Sequence, residues 1–469
     1  MREIVFPWFV GVDWGEQHHQ VCLSDASGKV RGSRKFSHTG KGLSGLMKWL
    51  AKRTGASPES VAVGIERPDG AVVATLLGAG HVVFSLNPRQ SNRLRDLYFH
   101  AGNKSDDVDA RVLAWGLRSN TAVFRKVLPR PELIERLRER TKTLDTLVEQ
   151  RVRLQQQIRS VLVDYFPQLV ELAGGMKNLG SSFFLKLWKK APTPEKARRL
   201  QRRTVERLIR EYGIKRIRAD QALELLRAEA LVVKPGATEA AVARIRTLLT
   251  LLKVVKEQVA LAEKEMVEIL DEFSRTAEAR DGLEPTHPDA VSGVAASPGS
   301  PEEPSGGKFT RPEIENGVAA SPGSPEEPSG EKFTRPDVVS VLRSRPGLGD
   351  RAVAQLLGWG YEPMMRGDFR QLRALCGVIP RQIQSGKSER AGLRRAVPGC
   401  LQQAAYIMAM GVVRWDPKVA AYNRKMKAEG KKRARRYRSI ANRELRLLCA
   451  MARNRTFFDP NYPSQRQAT

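Results

Sequence analysis

A chain of 469 residues with 41% hydrophobic side chains is long enough for two or three domains with substantial cores, and no run in it offers the roughly 18 uncharged apolar residues of a membrane span. Its 80 Lys and Arg against 51 Asp and Glu leave a net charge of +29, which points to a polyanionic partner. Four dispersed cysteines and six histidines without ligand spacing argue against a disulfide framework and a zinc array, and so for a reducing cytoplasm.

The chain opens with Met-Arg-Glu-Ile-Val-Phe-Pro, which runs straight into a strand-like segment, so no signal peptide is expected. Residues 8–14, 20–24 and 29–37 read as strands, the last two flanking the turn Asp25-Ala26-Ser27-Gly28. A helix over 41–53, a strand over 61–66, a helix over 69–79, a strand over 81–87 and a helix over about 106–118 follow. Three hairpin-like strands followed by βαβ units predict a mixed sheet with helices on its faces over residues 1–125, an α/β layout of the ribonuclease H or RuvC kind, which periodicity alone does not separate from an actin-like ATPase.

From 130 to 275 the pattern is helical. Leu133, Leu137, Leu144, Leu147, Leu154, Ile158, Val161 and Tyr165 form one apolar run, and Ile245, Leu248, Leu252, Val255, Val259, Ala262, Met266, Ile269 and Phe273 a second. Both read as coiled-coil seams or as two amphipathic helices packed on each other within one subunit. Residues 168–237 between them are basic and helix-rich, without a legible motif. Residues 278–337 hold a tandem repeat: the segment Gly293–Pro312 recurs as Gly317–Pro336, with Gly307 matched by Glu331. Rich in Pro, Gly, Ser and Glu, and with 10 acidic and 4 basic residues over 281–336, this stretch reads as a disordered linker that does not grip the polyanion. Residues 338–460 are helical again and strongly basic, with 20 Lys and Arg against 4 Asp and Glu over 381–456. The turn Pro346-Gly347-Leu348-Gly349 between two helical runs fits either a helix-hairpin-helix that offers N–H groups to a phosphate or a plain packing unit.

Two constellations carry chemistry. Asp13 ends the apolar run Phe9-Val10-Gly11-Val12, and Glu66 ends Val61-Ala62-Val63-Gly64-Ile65. Asp106 and Asp109 sit three apart at a helix start, on one face, while Asp107 points elsewhere and Gly15 permits the close approach of a ligand. Four carboxylates at one point make an oxygen-rich site for Mg²⁺ or Mn²⁺, and on a basic chain its substrate is a phosphodiester. The plainer reading of Asp106, Asp107 and Asp109 is an acidic helix start. The second constellation is Gln384-Ser385-Gly386-Lys387-Ser388-Glu389-Arg390 with Arg394 and Arg395. It is not a P-loop, because Arg381 stands where the first glycine belongs. On residue chemistry alone, a phosphate-gripping basic loop is favoured over a nucleophilic serine.

Together these motifs carry a resemblance. Gly11-Val12-Asp13, Gly64-Ile65-Glu66, Asn87-Pro88, Asn103-Lys104-Ser105-Asp106 with Asp109-Ala110-Arg111, Arg345-Pro346-Gly347-Leu348-Gly349, the segment Phe369–Pro380 and Gln384-Ser385-Gly386 resemble the DEDD-type insertion-sequence transposases, the bridge-RNA-guided serine recombinases of the "IS one-ten" family. The resemblance covers residues 1–165 and 338–460. It implies a RuvC-like domain, a coiled coil and a small helical transposase domain. Asp13, Glu66, Asp106 and Asp109 would then be the metal-binding catalytic carboxylates, and Ser385 the nucleophile joined to DNA during strand exchange. It further implies DNA as substrate, a structured noncoding guide RNA, and a homo-oligomer built as a dimer of dimers, at the nucleoid of a bacterial or archaeal cell. Lys104, Lys387, Arg390, Arg394, Arg395, Lys431, Lys432, Arg433, Arg435 and Arg436 are the expected nucleic-acid contacts. The chain departs from the family pattern at Arg395-Ala-Val-Pro-Gly-Cys400, where a Lys-x-Gly-Asn-like stretch is expected, and in its long repeat-bearing linker and large middle segment. A RuvC-like junction nuclease that needs no serine and an RNA-binding scaffold with vestigial carboxylates are the competing functions.

Overall fold

The computed structural model describes residues 6–98, 105–281, 336–385, 388–393 and 397–460. The chain divides into two compact units, Met1–Pro131 and Glu132–Thr469.

The first unit contains β1 (Trp8–Asp13), β2 (His18–Asp25), β3 (Val30–Ser37), α1 (Gly40–Thr54), β4 (Val61–Ile65), α2 (Ala71–Gly78), β5 (Val82–Ser85), α3 (Pro88–Tyr98), α4 (Asp106–Ser119) and β6 (Arg125–Lys126). They form a six-stranded mixed sheet in the order β3-β2-β1-β4-β5-β6. β1, β2 and β3 pair antiparallel, β4 and β5 run parallel to β1, and β6 closes the edge antiparallel to β5.

Side chains alternate across the sheet, as strand geometry requires. Val10, Val12, Ile65, Leu46, Leu50 and Leu76 pack on the face covered by α1 and α2. Phe9, Ala62, Phe84, Leu113 and Leu117 pack on the opposite face, beneath α4. Gly11 and Gly64 sit on that second face. A methyl at Gly11 would overlap the Ala110 carbonyl, and one at Gly64 would press on the Leu113 carbonyl at 3.2 Å. The two glycines therefore let α4 lie directly on β1 and β4.

The second unit contains α5 (Glu132–Tyr165), α6 (Pro167–Ala173), α7 (Ser182–Lys190), α8 (Pro194–Arg198), α9 (Arg202–Glu211), α10 (Ala219–Arg227), α11 (Ala237–Asp281), α12 (Val338–Arg343), α13 (Asp350–Met365), α14 (Phe369–Leu375), β7 (Pro380–Ser385), β8 (Ser388–Leu393), α15 (Gly399–Trp415), α16 (Pro417–Ala428) and α17 (Arg433–Asn454). The two apolar runs read as seams are α5 and α11. They pack antiparallel on each other within the chain, tied by Arg136–Glu272 at 3.0 Å and Arg140–Glu265 at 2.9 Å.

Two cores share this helix pair. Ile134, Leu137 and Leu144 of α5 join Val259, Met266 and Leu270 of α11 under α12–α17. Ile158, Leu162 and Tyr165 join Ile245, Leu249 and Leu252 around α6–α10. The linker expected over 278–337 lies, but for its two ends, outside the described residues.

The Pro-Gly-Leu-Gly turn is a packing device. Gly347, at φ +89°, presses on the backbone of Gly411 in α15, and Asp350 at the start of α13 is bound to Arg343 at 2.7 Å. An ion-paired carboxylate in that first turn is the wrong charge for a phosphate seat, so the plain packing unit describes this turn. Just before it, the 2%-exposed Arg345 donates to Glu444 and Asp416, each at 2.8 Å, and lies over the Phe458 ring.

Candidate active site

Asp13 is the last residue of β1, and Glu66 directly follows β4. Val12 and Ile65 are partners in the parallel ladder, so the next rung sets Asp13 beside Glu66 on neighbouring strands, which run roughly 4.8 Å apart. Alternation puts Asp13 with Phe9 and Gly11, and Glu66 with Ala62 and Gly64, all on the α4 face. One residue further on, the Arg67 guanidinium lies 4.5 Å from the centre of the Trp14 ring, which fastens the two strand ends together.

α4 brings its first turn to the same end of the sheet. Ser105 caps it, its hydroxyl accepting from the Val108 N–H, and Asp106, Asp107 and Asp109 complement the positive end of the helix dipole. Since Ala110 rests on Gly11, the turn preceding it overhangs the end of β1.

The carboxylates do not all meet, however. Asp106 is exposed and pairs with Lys35 of β3 at 3.0 Å, whereas Asp109 is buried and pairs with Arg95 of α3 at 2.6 Å. Among the described residues, no group of three or more His, Cys, Asp or Glu side chains is close enough to hold a metal ion. Like-charge repulsion opposes a bare four-carboxylate cluster, and Lys35 and Arg95 supply positive charge on opposite flanks. Neither cation is signalled by the sequence, because each arrives from a different element.

The donor set nevertheless suits a hard divalent ion. All four groups are carboxylates at one end of one sheet face, and Asp109 Oδ1 is buried without a hydrogen bond, because its 2.6 Å approach to Arg95 Nε lacks the required alignment. Asp107 does point elsewhere. It accepts from Gln20 at 3.3 Å, Ser33 at 2.5 Å and Arg111 at 2.7 Å, and so anchors the start of α4 to β2 and β3.

The turn after Asp13 is held by a histidine pair absent from the sequence reading. The Gly15 N–H donates to His19 Nδ1 at 3.4 Å, which leaves Nε2 to carry the proton toward His38 Nδ1 at 2.8 Å. Burial, with His38 and His18 nearby, pushes the His19 pKa down to about 4. Gly15 itself serves this turn, since a methyl there would meet the His18 carbonyl at 2.5 Å.

Ser385 ends β7 opposite Ser388 of β8 in an antiparallel hairpin that the helical expectation for this region had not included. Arg390 lies in β8, in register with Ile383. Lys104, Lys387, Arg394 and Arg395 fall outside the described residues. At the start of α17, Lys432 is the N-cap, Arg433 lies over the Tyr437 ring at 5.5 Å, and Arg435 is exposed. Cations at a helix N-terminus oppose the dipole, so their placement there does not serve the helix. Lys431 pairs with Glu429 at 2.5 Å, and Arg436 donates to Asn423 Oδ1 at 3.0 Å and the Lys431 carbonyl at 2.7 Å, which makes Arg436 a structural tie.

Comparison with known proteins gives two family matches. Residues 10–167 match a DEDD-type model described as a transposase, and residues 339–424 match one described as transposase, IS116/IS110/IS902 family. A putative transposase, y4uE, of Sinorhizobium fredii is 38% identical over 212 residues, covering 45% of this chain and 58% of the relative. The mini-circle putative transposase for IS117 of Streptomyces coelicolor is 31% identical over 196 residues, 41% of this chain and 47% of its own. An uncharacterised 44.8 kDa protein of insertion element IS116 from Streptomyces clavuligerus is 28% identical over 236 residues, 49% of this chain and 56% of its own. The chain thus spans about half the length of the curated relatives it matches. No helix among the described residues is long and apolar enough to cross a membrane.

Proposed function

We propose, from the premise that this chain belongs to the transposase IS116/IS110/IS902 family, that it cuts and rejoins DNA strands at the ends of an insertion sequence. The observation that carries this reading is the Val12–Ile65 rung of the parallel ladder, which brings Asp13 and Glu66 to neighbouring strand ends at the end of the sheet where α4 begins with its acidic first turn. Asp13, Glu66, Asp106 and Asp109 would hold Mg²⁺ or Mn²⁺, whose bound form supplies Lewis acidity at a phosphate oxygen. Lys35 and Arg95 hold the charge of Asp106 and Asp109 in balance and move aside, or stay as phosphate contacts, when DNA binds.

The family resemblance gives Ser385 the nucleophilic role: its Oγ would bond to phosphorus while the phosphodiester P–O bond of one strand breaks, the serine losing its proton and the departing sugar oxygen taking one up to leave as a free hydroxyl. Backbone pairing across the β7–β8 hairpin fixes the position of that serine. The exposed cations at the start of α17 suit phosphates, with sequence choice left to a guide RNA and strand exchange to an assembly of several subunits.

The test is a supercoiled plasmid carrying the element's own ends, incubated with protein, co-purified RNA and Mg²⁺. The native chain should give nicked product and a protein–DNA adduct that survives denaturation. Ser385→Ala should abolish the adduct, and Asp13→Asn should reduce strand cutting by more than the roughly 10–100-fold typical of losing an outer-shell partner. Full cutting by the serine variant would leave a water-using junction nuclease. Full cutting by the Asp13 variant would reject the carboxylate site.

A further inference from the structure

A strongly basic segment of this chain lies between the two family matches. Over residues 186–218 there are 13 Lys and Arg against three Asp and Glu, in the α6–α10 region, which shares one apolar core with α5 and α11. Within it, α9 buries Val205 and Leu208 and turns Arg203, Arg207 and Arg210 outward, all three exposed. At positions i, i+4 and i+7 they fall within about 60° of arc and reach about 10 Å along the axis. Neighbouring Arg202 is neutralised by Asp220 at 3.0 Å, but none of these three makes an ion pair among the described residues. The exposed Glu206 and Glu211 flank this stripe and offset part of its charge, but three guanidinium groups without an ion pair leave the face net positive and suited to an external anion.

We propose that this face of α9 grips the phosphate backbone of double-stranded DNA without reading sequence. Guanidinium groups suit phosphate through paired N–H donors. The exposed face of α9 carries no aromatic side chain on which an unstacked base would rest and no Asn or Gln within the stripe to read a base edge, which favours a duplex backbone over a single strand. The choice of DNA over RNA rests on the proposed function; the grip itself does not depend on catalysis.

The test is equilibrium binding of the full chain to a fluorescein-labelled DNA duplex of random sequence in EDTA, over a range of salt. The variant Arg203→Gln/Arg207→Gln/Arg210→Gln should flatten the slope of log K against log salt by about 2–3 and weaken binding at least about 10-fold, and Arg207→Gln alone should take about one unit from the slope. Replacing all three by Lys should preserve the slope. A charge-matched control on α1, Lys48→Gln/Lys52→Gln/Arg53→Gln, should change it little. An unchanged slope in the triple variant, an equal loss in the α1 control, or tighter binding of a matched RNA duplex than of DNA overturns the proposal. Because no metal is present, a chain that binds through α9 yet fails to cut DNA counts against the proposed reaction alone.

Discussion

Gly11 and Ala110 touch backbone to backbone: the middle of β1 has no side chain on its α4 face because the Ala110 carbonyl occupies that space. The closeness of this contact is what brings the acidic first turn of α4 to the end of β1. Gly11→Ala should lift α4 and destabilise the first unit by about 3 kcal/mol, since backbone cannot move aside as a side chain does. Thermal melts of the variant check this, and a melting temperature equal to that of the native chain would show that α4 docks less tightly than the geometry indicates.

Arg95 holds a buried carboxylate, with side-chain exposures of 15% for Arg95 and 12% for Asp109. Arg95→Ala should destabilise the chain by about 2–3 kcal/mol, because Asp109 is left without its cation. Added Mg²⁺ should then raise the melting temperature more in this variant than in the native chain, and Asp109→Asn should remove that response. Equal Mg²⁺ responses in all three proteins would mean that Asp109 is not a ligand.

His19 makes stability fall on acidification. Its folded pKa of about 4 lies below the unfolded value of 6.5, so between these limits the unfolded chain binds more protons. Its contribution is complete above pH 6.5 and is lost toward pH 4, at up to about 1.4 kcal/mol per pH unit. His19→Gln, which can still accept from Gly15 and donate to His38, should show a shallower loss over the same window in denaturant titrations. Parallel curves would place the sensitivity elsewhere.

Arg345 is enclosed by Glu444 and Asp416 and capped by Phe458. Arg345→Met should cost about 3–5 kcal/mol, because two carboxylates lose their shared cation. Arg345→Lys should recover part of that while losing the two-pronged geometry. Urea midpoints for the two variants give the comparison.

The two central strands β1 and β4 were legible because each is an apolar run that ends in charge, at Val12-Asp13 and Ile65-Glu66. The period-two pattern also fixes which face each carboxylate takes, and hence their adjacency. Sequence periodicity could not reveal that Asp106 and Asp109 engage cations on different flanks, since Lys35 and Arg95 arrive by tertiary packing. The β7–β8 hairpin was missed because Gln382, Gln384 and Arg390 give its strands no apolar alternation. The glycines of the Pro-Gly-Leu-Gly turn pointed equally to phosphate and to packing until Gly411 appeared opposite Gly347.

α5 contributes its first half to one apolar cluster and its second half to another, and α11 does the same in reverse order. Neither cluster can dissolve without stripping the stiff helices that frame the other. Melting should therefore couple the two regions into one cooperative transition, despite the 71 residues that separate these helices along the chain.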